Sequence, residues 1–440
     1  MRKIIEPFQD LTCQYPDHKV SEKFQRISDW LDRHPSLLER VAQDLGHDST
    51  CNRGARGLAA DSVVRAALYQ ASEGLTFRDL EFALSDSQTA GAFCRFNAEM
   101  AASDSTLCHL IGRISEKTWQ HLQWLTVQSA MDLGFETGKK VRMDATVIAC
   151  NIHDPSDSSL IADALRCVSR VAAGFRERGV IIYSRFSHKS AKKLVLKILN
   201  AKDADQRREI YAVLVEKAKM VVYQRQQFLL AAEGLGVTVK GTFGTLAELF
   251  DKLECVLDQT TRRVMHGEVV PSTEKLVSIF ESHCDVIVKD RRETQFGHKV
   301  VLTTAASRLI LDFEVLKGNP SDADIFENSL ERVAAVTGRV PTQVAADGGF
   351  SSIDNVDCAK WMGVKDVAFS KYPGMGVLDM CKTKGVFRAL RNFRAGIEGD
   401  ISNLKRGFNL FRCVWKGLSG FVKQTWSRIC AYNLAVLHTS

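Results

Sequence analysis

The sequence predicts an α/β protein with a mixed sheet, preceded by an all-helical segment and interrupted by a helical insertion after its first strand. Three observations predict it. Apolar residues recur at helical spacing through the first 135 residues, the period drops to two at residue 140, and from residue 296 short strands alternate with helices. Phe24 to Leu45 and Ser62 to Ser72 read as helices, and Ser103-Asp-Ser-Thr-Leu opens another through Ile111, Ile114 and Trp119, with Asp104 or Ser105 as its N-cap. Gly134 to Lys139 closes this segment. In Lys140 to Ala149, the residues Val141, Met143, Ala145 and Val147 take one face, and Arg142, Asp144 and Thr146 the other. Residues 160 to 285 return to helix, mix basic with apolar residues and contain no convincing strand. Strand character resumes at His298 to Thr304 and Leu309 to Leu316, a hairpin turning at Ala306-Ser-Arg. In this hairpin Asp312 and Glu314 alternate with Leu311, Phe313 and Val315 and so take the outer face. A helix over Asp322 to Val336, a strand from Thr342 to Asp347, a helix from Asn355 to Met362 and a strand over Asp366 to Ser370 follow. The last helices are Phe393 to Phe411 and Phe421 to Leu437.

The order strand, strand, strand, helix, strand, helix, strand, helix is that of a ribonuclease H-like α/β fold. It implies a helical domain over residues 1–135, a catalytic-type α/β domain over 136–440, and a basic helical insertion over 160–290.

Composition narrows the function. The chain has 440 residues, 45% hydrophobic and 25% charged, as in an ordinary globular protein. Met1 to Asp10 lacks the apolar core of a signal peptide, and no stretch reaches the ~18 apolar residues of a membrane helix. A cytoplasmic location is expected. Twelve cysteines are scattered from Cys13 to Cys430, with no Cys-x-x-Cys pair and no Cys/His cluster at metal spacing, which predicts reduced thiols and no structural zinc. The net charge of +7 is unevenly placed. Residues 1–135 carry −4, whereas residues 161–225 and 381–440 carry +9 each, the footprint of a polyanion binder.

Three carboxylates fall where this fold can gather them: Asp144 on the first strand, Asp347 at the end of the fourth, and Glu398 on a late helix. Adjacent strands lie about 4.8 Å apart, and a helix crossing the sheet can deliver the third group. Three carboxylates suit hard Mg²⁺, and can hold two ions roughly 3.5 to 4 Å apart with positions left for phosphate oxygens. On the late helix Arg394, Glu398 and Lys405 share one direction, and Ile397, Ile401, Leu404, Phe408 and Phe411 form the opposite, buried seam. Gly396 and Gly399 each cost roughly 1 kcal/mol in a helix interior, so a close approach is expected there.

These residues carry a resemblance. Arg142-Met-Asp-Ala-Thr-Val-Ile, Asn151-Ile-His-Asp-Pro-Ser-Asp, Phe296-Gly-His-Lys-Val, Lys317-Gly-Asn-Pro-Ser-Asp and Ala346-Asp-Gly-Gly-Phe resemble, in order, blocks of bacterial insertion-sequence transposases of the DDE class. Arg394-x3-Glu398-x6-Lys405 resembles their C-terminal signature, and Asn433-Leu434 its sequel. Asp104-Ser-Thr-Leu is similar to their helical N-terminal domain. The resemblance implies that Asp144, Asp347 and Glu398 hold two Mg²⁺ ions, with Mn²⁺ as a substitute, and that Arg394 and Lys405 grip phosphates. Arg391 stands where the signature has tyrosine. Among the basic and aromatic residues that follow, Arg406 and Arg412 are further DNA contacts. The implied partners are double-stranded DNA, namely the inverted-repeat ends of the element and its target, with a homodimer on DNA at the nucleoid. A metal-dependent nuclease or resolvase on the same fold and a repurposed DNA-binding relative remain alternatives.

Overall fold

The computed structural model describes residues 15–46, 57–96, 102–182, 187–288, 293–370 and 374–439; Met1 to Asp10 and Cys13 lie outside them. Helices α1 (Lys19–Asp32), α2 (Pro35–Asp44), α3 (Ala60–Glu73), α4 (Phe77–Asp86), α5 (Gln88–Cys94), α6 (Asp104–Arg113) and α7 (Glu116–Asp132) come first. Two expected long helices are each divided. Pro35, which lacks an N–H, opens α2 at its first turn and ends the run that began at Phe24. Ser115 caps α7 through the Thr118 amide and separates it from α6. The α6 cap is Ser103, one residue before the expected Asp104, because its hydroxyl reaches the Thr106 amide at 3.3 Å.

Strand β1 (Lys140–Cys150) leads into the insertion: α8 (Asp157–Glu177), α9 (His188–Leu199), α10 (Ala204–Val222), α11 (Arg225–Gly234), a minimal hairpin of β2 (Lys240–Gly241) and β3 (Gly244–Thr245), and α12 (Leu246–Thr260). That hairpin corrects the expectation of an insertion without strands, though two residues a side are too few to bury an apolar face. The insertion has its own core around Phe175, Phe228 and Phe250.

The chain then returns through β4 (Asp285–Ile287), β5 (Gln295–Ala305), β6 (Ile310–Val315), α13 (Phe326–Thr337), β7 (Gln343–Ala346), α14 (Ile353–Met362), β8 (Asp366–Phe369), α15 (Val377–Met380), α16 (Lys384–Gly407), β9 (Arg412–Cys413) and α17 (Gly417–Thr439). In the sheet β5 lies between β1 and the pair β6 and β4, while β7 and β8 extend it on the other side. β1, β5 and β6 are antiparallel neighbours, and β7 and β8 run parallel to β1. This is the ribonuclease H-like sheet. The outer face of β6 is covered by α13: Arg332 binds Asp312 at 2.7 and 3.0 Å and Glu314 at 2.9 Å.

The sheet and the N-terminal helices share one core. Asn433 on α17 makes the join, accepting from the Ile310 amide at 2.9 Å and donating to the Ile310 carbonyl at 2.8 Å and to Gln123 of α7 at 2.7 Å. It bonds the buried Ile310 amide of this edge strand and shares the Ile310 carbonyl with the Gln123 side-chain amide.

Gly297 shows how tightly β5 crosses β1: a Cβ there would overlap the Ile148 carbonyl and Ala149 backbone. Gly297→Ala is therefore expected to cost about 1 to 3 kcal/mol through forced strand separation. A shift of the urea midpoint reads it, and an unchanged midpoint would show that the strands can part freely.

Candidate active site

Register sets the first two carboxylates side by side. β1 and β7 pair in parallel from Lys140 opposite Gln343 to Met143 opposite Ala346, so the next step places Asp144 beside Asp347. Helix α16 packs across β1, β7 and β8 and supplies the third. The three meet on a single guanidinium. Arg394 Nη2 lies 2.9 Å from Asp144 Oδ2 and 3.4 Å from Asp347 Oδ1, and Nη1 lies 3.2 Å from Glu398 Oε1. Asp144 also accepts from the Ala145 amide at 2.8 Å. The site is open on one side: the Asp144 side chain is 15% exposed, Asp347 45% and Glu398 68%. A buried pair would strongly resist losing its cation, but these carboxylates face solvent and can exchange partners.

The helix is held in place by charges beneath it. Arg142, on the same face of β1 as Asp144, donates to the Phe393 carbonyl at 2.9 Å, to Thr304 Oγ1 at 2.9 Å and to the buried Asp400 carboxylate. Asp400 also binds Arg308 at 2.8 Å and accepts from Tyr432 at 3.3 Å. Burial, followed by the Asp400 charge, raises the Tyr432 hydroxyl above its ordinary pKa, so it stays protonated as a donor. A Cβ on Gly396 would collide with the Arg142 guanidinium, which accounts for that glycine; nothing lies against Gly399.

Other expected residues spread out. Lys405 is half-buried on α16, two turns past Glu398, while Arg391 and Arg406 are exposed on the same helix. Arg412 sits on β9, whose pairing with Ala149 places it five residues along β1 from Asp144, about 17 Å away. α16 ends at Gly407, so the expected seam is shorter than the pattern suggested: Phe408 is buried beyond the helix, but Phe411 is 56% exposed. The other C-terminal aromatics are packed, Trp415 on Phe77 and Trp426 on Phe313. Lys423 is held by the Gly112 carbonyl at 2.8 Å. The sequence blocks also have structural duties: Lys299 pairs with Asp322 at 2.6 Å, and Asp322 fills the space where Gly349 lacks a side chain.

The sequence reading missed the Arg142–Asp400 pair and a group of Cys150, His283 and His298. Asp400 had a signal, since a carboxylate two residues past Glu398 falls on the packed side of the helix. The second group had only His298, inside the Phe296-Gly-His-Lys block.

The fold is of the ribonuclease H type, with three carboxylates gathered on one guanidinium. A family model described as Transposase DDE domain matches residues 251–434, and one described as Transposase domain (DUF772) matches residues 12–113. The chain belongs to the insertion-sequence transposases of the DDE class, and DNA is the substrate of that class. No curated protein and no solved structure matches the chain significantly. Among the described residues, no helix is long and apolar enough to cross a membrane.

Proposed function

We propose that the chain cuts and joins DNA at the ends of its own element, with Asp144, Asp347 and Glu398 as the metal ligands. The observation that carries this reading is the convergence of these three carboxylates on Arg394. Three oxygens already drawn around one cation are the donor set that Mg²⁺ or Mn²⁺ prefers. When bound, a pair of such ions would activate the attacking oxygen and stabilise the leaving one. Asp144 and Asp347, on neighbouring strands, hold fixed positions, while Glu398 on the helix rim closes the site from the solvent side. Arg394 turns from the carboxylates to a phosphate oxygen, holding the scissile group in line. Arg391, Lys405, Arg406 and Arg412 track the flanking backbone, and their contacts make binding fall with salt. Holding two ends at once implies a homodimer on DNA, acting at the nucleoid. The helical segment 1–135 and the basic insertion 160–290 supply the surface for end recognition.

The test is a cleavage and joining assay with purified protein, Mg²⁺ or Mn²⁺ and labelled DNA carrying the sequences that flank the gene. Nicking at a defined end followed by joining to target DNA is expected. Cutting without joining would favour the nuclease reading. Tight binding without reaction would favour a repurposed relative.

Arg394 gives a sharper expectation, because it competes with metal for the same oxygens. In Arg394→Gln the Mg²⁺ concentration for half-maximal cleavage falls, while the rate at saturating metal falls about a hundredfold for want of a phosphate donor. A metal titration of both proteins measures the two effects separately. An unchanged half-saturation would show that the guanidinium leaves the carboxylates at no cost.

A further inference from the structure

A second cluster lies at the neck of the helical insertion, where the chain leaves the sheet at the end of β1 and returns at β4 and β5. Cys150 is the last residue of β1, and His283 and Cys284 precede β4. His298 sits in β5, opposite Ile148 of β1. The Cys150 sulfur and one nitrogen from each histidine lie within 4.8 Å of one another. Cys284 is within hydrogen-bonding reach of Cys150, and Cys150, Cys284 and His298 are all buried.

The outer partners of the two imidazoles decide what the inner atoms can be. His298 Nδ1 is 2.8 Å from the Asp285 carboxylate, and His283 Nε2 is 2.8 Å from the Glu281 carboxylate. Carboxylates only accept, so each of these outer nitrogens carries the proton. Asp285 is itself fixed by the Gly318 amide at 2.7 Å, and Glu281 by the Gly417 amide at 2.9 Å. The inner nitrogens, His283 Nδ1 and His298 Nε2, then lie 2.7 Å apart. Two lone pairs at that distance repel unless a cation lies between them. Carboxylate-to-histidine support of this kind is how proteins fix the tautomer of a metal-binding imidazole.

We propose that Cys150, His283 and His298, with Cys284 as fourth donor, form a tetrahedral zinc-type site that pins the neck of the insertion to the sheet. Two thiols and two imidazoles match the softness and the coordination number of Zn²⁺ and exclude Mg²⁺. Metal–nitrogen bonds of about 2.0 to 2.1 Å at a tetrahedral angle separate the nitrogens by about 3.3 Å, so the rings need part only slightly. Cys413, paired with Cys150 through β9, is engaged elsewhere, its sulfur lying 3.0 Å from Gln424 Oε1. Asp144 is six residues up β1, about 20 Å away, so this site is separate from the carboxylates and its role is structural. The proposal departs from the expectation of no structural zinc because its donors are gathered by strand pairing across the whole insertion, and sequence spacing does not register that.

The experiment uses full-length, untagged protein grown with zinc and dialysed into magnesium-free buffer with a non-chelating reductant. Elemental analysis is expected to find about one zinc per chain, and Co²⁺ exchange is expected to give a thiolate-to-cobalt charge-transfer band with tetrahedral d–d absorption. Cys150→Ser and His298→Gln should each reduce the metal content to below about a tenth. Cys284→Ser should weaken the charge-transfer band; an unchanged band would remove Cys284 from the ligand set. Wild-type protein with no stoichiometric metal and no cobalt spectrum would overturn the site and leave a proton shared between the imidazoles. Metal retained in full by Cys150→Ser would overturn it as well. The wild-type cobalt spectrum stands even where a variant fails to fold, and none of these readouts depends on DNA cleavage.

Discussion

On the proposed function, Asp144→Asn is expected to abolish metal-dependent cleavage, with a loss of about a thousandfold or more, because a carboxylate that would hold the metal would contribute several kcal/mol to transition-state charge stabilisation. The change is nearly isosteric and keeps an oxygen for the Ala145 amide, so the strand should not move. Arg394 keeps Asp347 and Glu398 as partners, which leaves no bare charge. DNA affinity should stay within about threefold, since it rests on phosphate contacts distributed over many basic residues. Asp347→Asn and Glu398→Gln should behave alike. Gel-resolved cleavage products and a salt-dependent binding curve, measured on the same preparations, separate the two quantities. Residual cleavage above a few per cent in any of the three would remove that residue from the site.

Asp400→Ala is the substitution expected to cost most stability. It removes the buried carboxylate that neutralises Arg142 and partly neutralises Arg308, and leaves Tyr432 without an acceptor for its hydroxyl apart from the Arg308 carbonyl at 3.2 Å. Stranding a buried guanidinium in this way costs about 3 to 5 kcal/mol. Calorimetry should record a thermal midpoint lowered by several degrees. Cleavage should fall too, because Arg142 carries α16 at the Phe393 carbonyl and so sets where Glu398 stands. Replacing Arg142 and Asp400 together by leucine should recover much of the stability, since no buried charge is then left unpaired and Arg308, which loses Asp400, is 56% exposed. A single Asp400→Ala cost under about 1 kcal/mol would show that solvent reaches Arg142.

Much of the fold was legible because its signals are local. The alternation from Val141 to Val147 marks a strand wherever it ends up, and the strand and helix order from Phe296 onward follows from period and turn residues. Errors arose where a single residue overrode the period, as Pro35 does between α1 and α2. A contact from elsewhere also covers a face, as α13 does over Asp312, whose burial raises its carboxyl pKa while the Arg332 guanidinium pulls it down. At the candidate site the sequence named all three carboxylates, because their spacing relative to strand and helix ends carries the pattern.

What the sequence alone determined is the class of protein, the order of its elements and the identity of the charged residues at their ends, all properties of segments a few residues long. The tertiary structure decided which of those residues meet. The parallel register of β1 and β7 sets Asp144 beside Asp347, α16 brings Glu398 and Arg394 over them, and the antiparallel crossing of β1, β4 and β5 gathers Cys150, His283 and His298. Each meeting depends on pairing between segments far apart in the chain, and only the packed sheet fixes that register, because a slip of one residue would turn every side chain to the opposite face.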